Sequence, residues 1–302
     1  MKSFTELRNL FGSLTNNSAT TNLTLGDELI NDTIRNICES YPWNFLEKTK
    51  TMSTVASQQF YTLPYDYKKL ISVTVTIGST VYTPLECQSR KVWEDLNQST
   101  STTSDTPEWY FIFNGQLGFW PMPASANTDA ITFTYLRATP NLSMADYTTG
   151  TIVSVANGGT AVVGSGTTWT ASMVGRYLRI TPSDTAANCG DGLWYEITAV
   201  GSATTLTIAK GYGGTALAAG GASFTIGEMP ILPEAYHTMP VYRACEIYYS
   251  NKTEDLPRAQ LFKRMFDEGL LAMKSMYGRK TTSVVINDSP TFIPNPNLNV
   301  TL

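Results

Sequence analysis

An abrupt change of period at Met229 limits what this chain can become. From Gly150 to Gly227 the sequence is rich in glycine and threonine, holding fifteen of the chain's 22 glycines and few charges. From Met229 to Gly278 it turns helical. After Leu256, the residues Ala259, Phe262, Phe266, Leu270, Met273 and Tyr277 recur at three- and four-residue steps, which puts them on one helix face. Leu261, Met265, Ala272 and Met276 form a second stripe, roughly 100° round from the first at about 3.6 residues per turn. Lys263, Arg264, Asp267, Glu268 and Lys274 fill the remaining arc. Two apolar stripes on one helix fit packing on two bodies, its own domain and a neighbouring subunit. Deeper immersion in a single core fits the same pattern.

Ahead of this stretch the signals alternate. Phe4 to Leu14 reads as a short helix. Thr24 can cap a second one, with Leu29, Ile30, Ile34, Ile37 and Tyr41 inward and Pro42 ending it. The aromatics of Tyr41-Pro-Trp-Asn-Phe-Leu46 anchor that helix end to a sheet. Strands are expected at 59–63, 70–77, 81–85, 109–113, 116–120 and 130–136, with Asn114-Gly115 as a hairpin turn. Lys91 to Gln98 reads as a helical turn. Inside the glycine-rich stretch, strands are expected at 151–156, 160–163, 176–181, 194–200, 205–209 and 223–226. Regular strand spacing with Gly turns means a small sandwich or barrel. Strands like the first sheet do not resume afterwards, so this stretch reads as an insertion whose ends lie close together.

The expected fold is therefore α+β. Residues 1–149 form helices and a small antiparallel sheet, 150–228 an inserted all-β sandwich or barrel, 229–278 the closing helices, and 279–302 an extended C-terminal arm. Pro240 splits the first closing helix, and Asp255 caps the last, with Pro257 in its first turn. In the arm, Val284, Val285 and Ile286 are β-branched, and Pro290, Pro294 and Pro296 enforce extension. With Phe292, Ile293 and Leu298 it is apolar enough to add to a partner's surface; fraying is the other reading.

Chemistry is hard to find. His237 is the sole histidine, and no Gly-x-Ser-x-Gly elbow accompanies it. Phosphate-loop and dinucleotide glycine patterns are missing, and Gly211-Tyr-Gly-Gly214 reads as a strand connection. Cys38, Cys87, Cys189 and Cys245 lack metal spacing and read as reduced thiols. No cofactor, metal or catalytic residue is expected. Asp184 with Asp191, or Glu94 with Asp95, keep a hydrolase formally open. Trp169, Trp194, Tyr195 and Tyr212 could stack on sugars, although core aromatics are commoner. Charge is low, 15% of residues with a net charge of -4 and no Lys/Arg cluster, which disfavours gripping nucleic acid. No stretch approaches a membrane span or a signal peptide, so synthesis in a cytoplasm is expected.

One ordered series is more specific. It runs from a helix into Tyr41-Pro-Trp-Asn-Phe45, then Tyr61-Thr-Leu-Pro-Tyr-Asp66, Lys69-Leu-Ile-Ser-Val73 and Thr83-Pro-Leu85. The hairpin Trp109–Pro123 follows, then Tyr135-Leu-Arg-Ala-Thr-Pro140, Leu232-Pro-Glu-Ala-Tyr236 and Asp255-Leu-Pro-Arg-Ala259. Across 4–142 and 230–278 this series resembles the head–tail connector proteins of tailed bacteriophages, the adaptors of the neck. The glycine-rich stretch departs from the smaller members and resembles β domains of other phage structural proteins. The resemblance implies a non-enzymatic virion protein made in the host bacterium. It implies a homo-oligomeric ring, usually a dodecamer, that binds the portal protein above and tail or neck proteins below. Double-stranded DNA would pass through without specific binding. Contacts would fall on Leu261, Met265, Met276, Val284, Val285, Ile286, Phe292, Ile293 and Leu298. A different reading makes the chain a tail-associated carbohydrate-binding or adhesin component acting through 150–228.

Overall fold

In a computed structural model, residues 1–17, 19–98, 106–182, 189–218 and 221–278 are described. Val284, Val285, Ile286, Phe292, Ile293 and Leu298 lie outside them. Among the described residues are five α-helices and three sheets, a mixed α+β architecture.

The helical part comes from both ends of the chain. Helix α1 (Phe4–Thr15) opens on a capping box. Ser3 Oγ accepts from the Glu6 N–H at 3.2 Å, and the Ser3 N–H donates to Glu6 at 3.0 Å. Helix α2 (Thr20–Ser40) starts a turn earlier than the sequence suggests. Thr24 does not cap it; its Oγ1 donates back to the Thr20 carbonyl at 3.0 Å. The extra turn carries Leu23 onto the helical core, so packing extends the helix beyond the polar residue that could have begun it. Helix α4 (Met239–Asn251) has Pro240 in its first turn, after a short 3-10 turn at Glu234–Tyr236. The split at Pro240 is as expected. Helix α5 (Leu256–Tyr277) is capped by Asp255, which accepts from the Arg258 N–H at 3.2 Å. These four helices enclose one apolar cluster that includes Leu7, Phe11, Ile30, Ile34, Val241 and Met273.

At two helix crossings a glycine lies close against a side chain of the facing helix. A Cβ on Gly26 of α2 would stand 2.6 Å from Cε1 of the fully buried Phe11, and one on Gly269 of α5 would meet Met239 Sδ at 2.7 Å. Alanine for glycine in a helix gains about 1 kcal/mol of propensity, whereas overpacking a core costs about 1–3 kcal/mol. Phe11 has nowhere to go, so Gly26→Ala should be destabilising overall, by about 1 kcal/mol. Met239 can rotate away, so Gly269→Ala should be neutral or stabilising. Thermal unfolding of both variants checks this; a higher Tm for Gly26→Ala would contradict the packing account.

Between the helices the chain builds two four-stranded sheets. Strands β1 (Glu47–Met52), β3 (Tyr67–Ile77), β4 (Thr80–Tyr82) and β8 (Ile131–Arg137) are ordered β1-β8-β3-β4, all antiparallel. Strands β2 (Phe60–Thr62), β5 (Leu85–Glu86), β6 (Trp109–Phe113) and β7 (Gln116–Trp120) are ordered β2-β7-β6-β5. Val73, Val75, Ile131, Phe133 and Tyr135 of the first sheet share a cluster with Tyr61, Leu117 and Phe119 of the second. Asn114 and Gly115 both have positive φ, 49° and 72°, as the expected two-residue hairpin turn requires.

The single small antiparallel sheet expected here is thus two sheets, and the β5–β6 pair is parallel. The sequence gives no sign of β1. Glu-Lys-Thr-Lys-Thr has no apolar alternation because this edge strand contributes almost nothing to a core. Its ladder to β8 holds it, and its lysines guard the edge. Helix α3 (Arg90–Asn97) lies over the second sheet through Trp93.

The glycine-rich stretch forms the third sheet. Strands β9 (Thr151–Val155), β10 (Ala161–Ser165), β11 (Tyr177–Ile180), β12 (Trp194–Ser202), β13 (Thr205–Ile208) and β14 (Phe224–Gly227) are ordered β14-β11-β12-β13-β10-β9. Each matches one of the six expected strands to within two residues. Isolated bridges Ile152↔Ala222 and Val155↔Leu217 tie β9 to the chain just ahead of β14. Its apolar cluster is its own, drawn from residues between Ile152 and Ile226.

Candidate interaction surfaces

Helix α5 shows what its two stripes do within one chain. The first faces inward: Ala259, Phe262 and Met273 are buried, and Phe266, Leu270 and Tyr277 pack against the same cluster. Phe262 stacks on Tyr249 of α4 at 5.8 Å, with the rings 5° from parallel. Of the second stripe, Leu261, Ala272 and Met276 stay outside, whereas Met265 packs against the same cluster as the first. Leu261 is 49% exposed, Met276 69% exposed, Ala272 exposed and Met265 half-buried. The Tyr236 hydroxyl donates to Met276 Sδ at 3.4 Å, which holds that end of the stripe. Arg264 and Glu268 form an ion pair at 3.5 Å on the wet arc, so the apolar stripe runs beside a self-neutralised edge.

Other exposed apolar groups escaped the periodicity argument. Leu271 is 72% exposed and falls on neither stripe. Tyr65 is 98% exposed in the turn between β2 and β3. An aromatic ring in so tight a turn has nothing nearby to bury it, and that signal was present in Leu63-Pro-Tyr-Asp66.

Where the six-stranded sheet meets α1, the contact is polar. Arg176, 5% exposed, donates from Nη2 to the carbonyls of Ala145 at 2.7 Å and Ile226 at 2.9 Å. Burial lowers its pKa, and the carboxylates of Glu228 and Asp146 act the other way. Asp146 accepts from Ser3 Oγ at 2.8 Å, and its own N–H donates to Thr5 Oγ1 at 3.0 Å. Glu228 accepts from the N–H groups of Ser143 and Met144, and its carbonyl accepts from the Phe4 N–H at 2.8 Å. The first turn of α1 therefore sits between the two chain segments that lead into and out of the sheet.

Residues weighed for chemistry are mostly committed elsewhere. His237 is 2% exposed. Its Nδ1 accepts from the Lys2 N–H at 3.1 Å, and its Nε2 lies 3.0 Å from the Leu232 carbonyl. Burial lowers its pKa, so the ring is a neutral structural link. Trp169, Tyr195 and Tyr212 are buried in the third cluster, which leaves Trp194 partly open with Arg179 lying 5.4 Å from its ring centroid. Glu94 pairs with Arg90 at 2.7 Å, and Asp191 accepts from Tyr195 and from the Leu193 N–H. Asp184 lies outside the described residues. Among the described residues no cluster of three or more His, Cys, Asp or Glu side chains is placed to hold a metal, and no helix is long and apolar enough to cross a membrane.

The model of the SU10 adaptor protein family matches residues 2–158, which takes in α1, α2, both four-stranded sheets and β9. The chain belongs to the SU10 adaptor family. This is a family of phage head–tail adaptors, structural virion components, and the connector resemblance of the first half is accounted for by it. The adaptor match stops at residue 158, so β10 to β14, α4 and α5 lie beyond it. A comparison with curated proteins found no match.

Proposed function

We propose that this adaptor works as a ring of identical copies, a dodecamer by resemblance, seated in the neck between the portal protein and the tail. The ring continues the DNA channel and performs no reaction. The outer stripe of α5 carries this reading. A helix that satisfies its own core with Ala259, Phe262 and Met273, yet leaves Leu261 and Met276 in water, keeps apolar surface for another chain. Rings need heterologous contacts, in which one patch meets a different patch of the neighbour. The arm, with Val284 to Ile286, Phe292, Ile293 and Leu298, serves a second contact with a partner. A net charge of -4 suits a conduit that lets duplex DNA slide without holding it.

Residues 150–228 are read as a separate domain that closes on itself as a small barrel. Its private apolar cluster and the bridges from β9 to the chain before β14 support this. Its polar attachment to α1 suits a unit held at a set angle on the adaptor body.

The test is assembly of purified protein with portal, followed by mass measurement and electron microscopy. Leu261→Asp with Met276→Asp should keep the Tm of the isolated chain within about 2 °C, since both side chains are exposed. It should abolish ring formation on the portal. Normal rings from the double variant would remove α5 from the interface.

A further inference from the structure

The outer face of the β2-β7-β6-β5 sheet carries a groove that none of the contacts above uses. Phe60, Gly118 and Phe111 are lateral neighbours across three strands, and α3 lays Trp93 over them. A Cβ on Gly118 would stand 2.7 Å from Phe60 and 3.0 Å from Trp93, so the rings rest directly on the sheet. Trp93, Phe111 and Phe113 continue as a stacked row, at 5.5 Å and then 6.4 Å between centroids. Phe113 at the end of the row is 45% exposed, with the Arg90 guanidinium lying over one face of its ring at 4.3 Å. The groove measures about 570 Å³, and amide side chains of Gln59, Asn97 and Gln116 stand along it. Gln59 Nε2 donates to Asn97 Oδ1 and Asn97 Nδ2 to the Trp93 carbonyl at 2.8 Å, so each of those two keeps one N–H for a ligand. The two ions lining it, Arg90 and Glu94, are paired with each other at 2.7 Å, so the groove offers no net charge.

A row of aromatic rings flanked by amides is the surface that takes a proline-rich strand. Proline rings lie flat on aromatic faces. Proline carries no N–H, so the carbonyls of such a strand look for donors on the receptor. This chain holds one segment of that chemistry, Pro290-Thr-Phe-Ile-Pro-Asn-Pro296, which has no charged residue. The last described residue is Gly278, bridged to Trp43, and an extended chain from there to Pro290 spans up to about 40 Å. We propose that Pro290–Pro296 is the occupant of the Trp93–Phe113 groove. The inference deepens the reading of residues 279–302 as a contact arm and rests on it. It names the receiving surface as a part of this same protein.

The test places a photoreactive benzoylphenylalanine at Thr291 of the full-length chain, which is irradiated as purified protein and again on the portal. Crosslinked peptides are then identified by mass spectrometry. Crosslinks should fall on residues of α3 and the β6–β7 hairpin. Phe113→Ala, an exposed position whose loss leaves the sheet intact, should lower their yield about tenfold, the worth of one strong aromatic contact. Crosslinks confined to the portal protein, or to other surfaces of this chain, would overturn the seat. Rings formed on the portal by that same protein would leave the adaptor reading standing.

Discussion

Trp43→Ala is expected to be among the most damaging single substitutions in the helical part, at about 4 kcal/mol. Trp43 is wholly buried, and its Nε1–H donates to the Ile37 carbonyl at 2.7 Å, one of the last carbonyls of α2. Its ring lies 5.6 Å from Phe45 and 5.3 Å from Tyr41, and its backbone bridges to Gly278 at the end of α5. Through its ring and its backbone, one residue thus joins the ends of two helices to the start of β1. Alanine removes the ring, leaves a cavity that rigid helix ends cannot close, and takes one of two side-chain donors from the Ile37 carbonyl, which keeps the Ser40 hydroxyl at 2.9 Å. Trp43→Phe keeps most of the volume and loses the hydrogen bond, so it should cost less than half as much, with about 1 kcal/mol for the bond itself. Urea unfolding followed by far-ultraviolet circular dichroism, which reports the helices, separates the two. A loss below about 1 kcal/mol for the alanine variant would mean that the ring is not the joint described here.

The aromatic anchor was legible because Tyr-Pro-Trp-Asn-Phe follows a helix stopped by proline. Local rules of this kind were followed closely elsewhere too. The Asn114-Gly115 turn, the break at Pro240 and the Asp255 cap each depend on the chemistry of two or three neighbouring residues. The six strands of the glycine-rich stretch were legible for the same reason, since glycine marks their turns. What was hidden depends on partners distant in sequence. Strand β1 has no apolar pattern and exists through its ladder to β8. Thr24 was outweighed by the packing of Leu23. The division of the first sheet into two follows from Tyr61, Leu117 and Phe119 facing Val73, Phe133 and Tyr135, which no local period shows. Among the surfaces, the α5 stripe could be read from spacing. The Trp93–Phe113 row could not, because its rings come from two elements, α3 and β6, that only the fold brings together. Arg176 was equally invisible, as an arginine beside glycine in a charge-poor stretch reads as surface.

Arg176→Ala is the other substitution expected to act strongly, at about 3 kcal/mol, and its effect should concentrate where the six-stranded sheet joins α1. The guanidinium reaches the carbonyls of Ala145 and Ile226 on the two stem segments at once. Ile226 keeps its backbone exchange with Tyr147, so that carbonyl remains satisfied. Ala145 loses its charged donor, and the carboxylates of Asp146 and Glu228 lose the cation that faces them. Burial raises the pKa of Asp146, so removing the cation should make that carboxyl easier still to protonate. Methionine distinguishes packing from charge. Arg176→Met fills much of the space without a desolvation cost, and a loss well below that of alanine would assign most of the effect to the cavity. An equal loss would assign it to the ionic hydrogen bonds. Three separate apolar clusters make a single unfolding transition a poor gauge, so the measurement is hydrogen exchange at the Tyr147 and Ile226 amides. These two amides bond each other's carbonyls across the stem. Their protection should fall about a hundredfold in Arg176→Ala, while amides of α4 keep theirs. Unchanged exchange would mean that the stem is held by its backbone bridge and the α1 capping box alone, with the buried arginine a passenger.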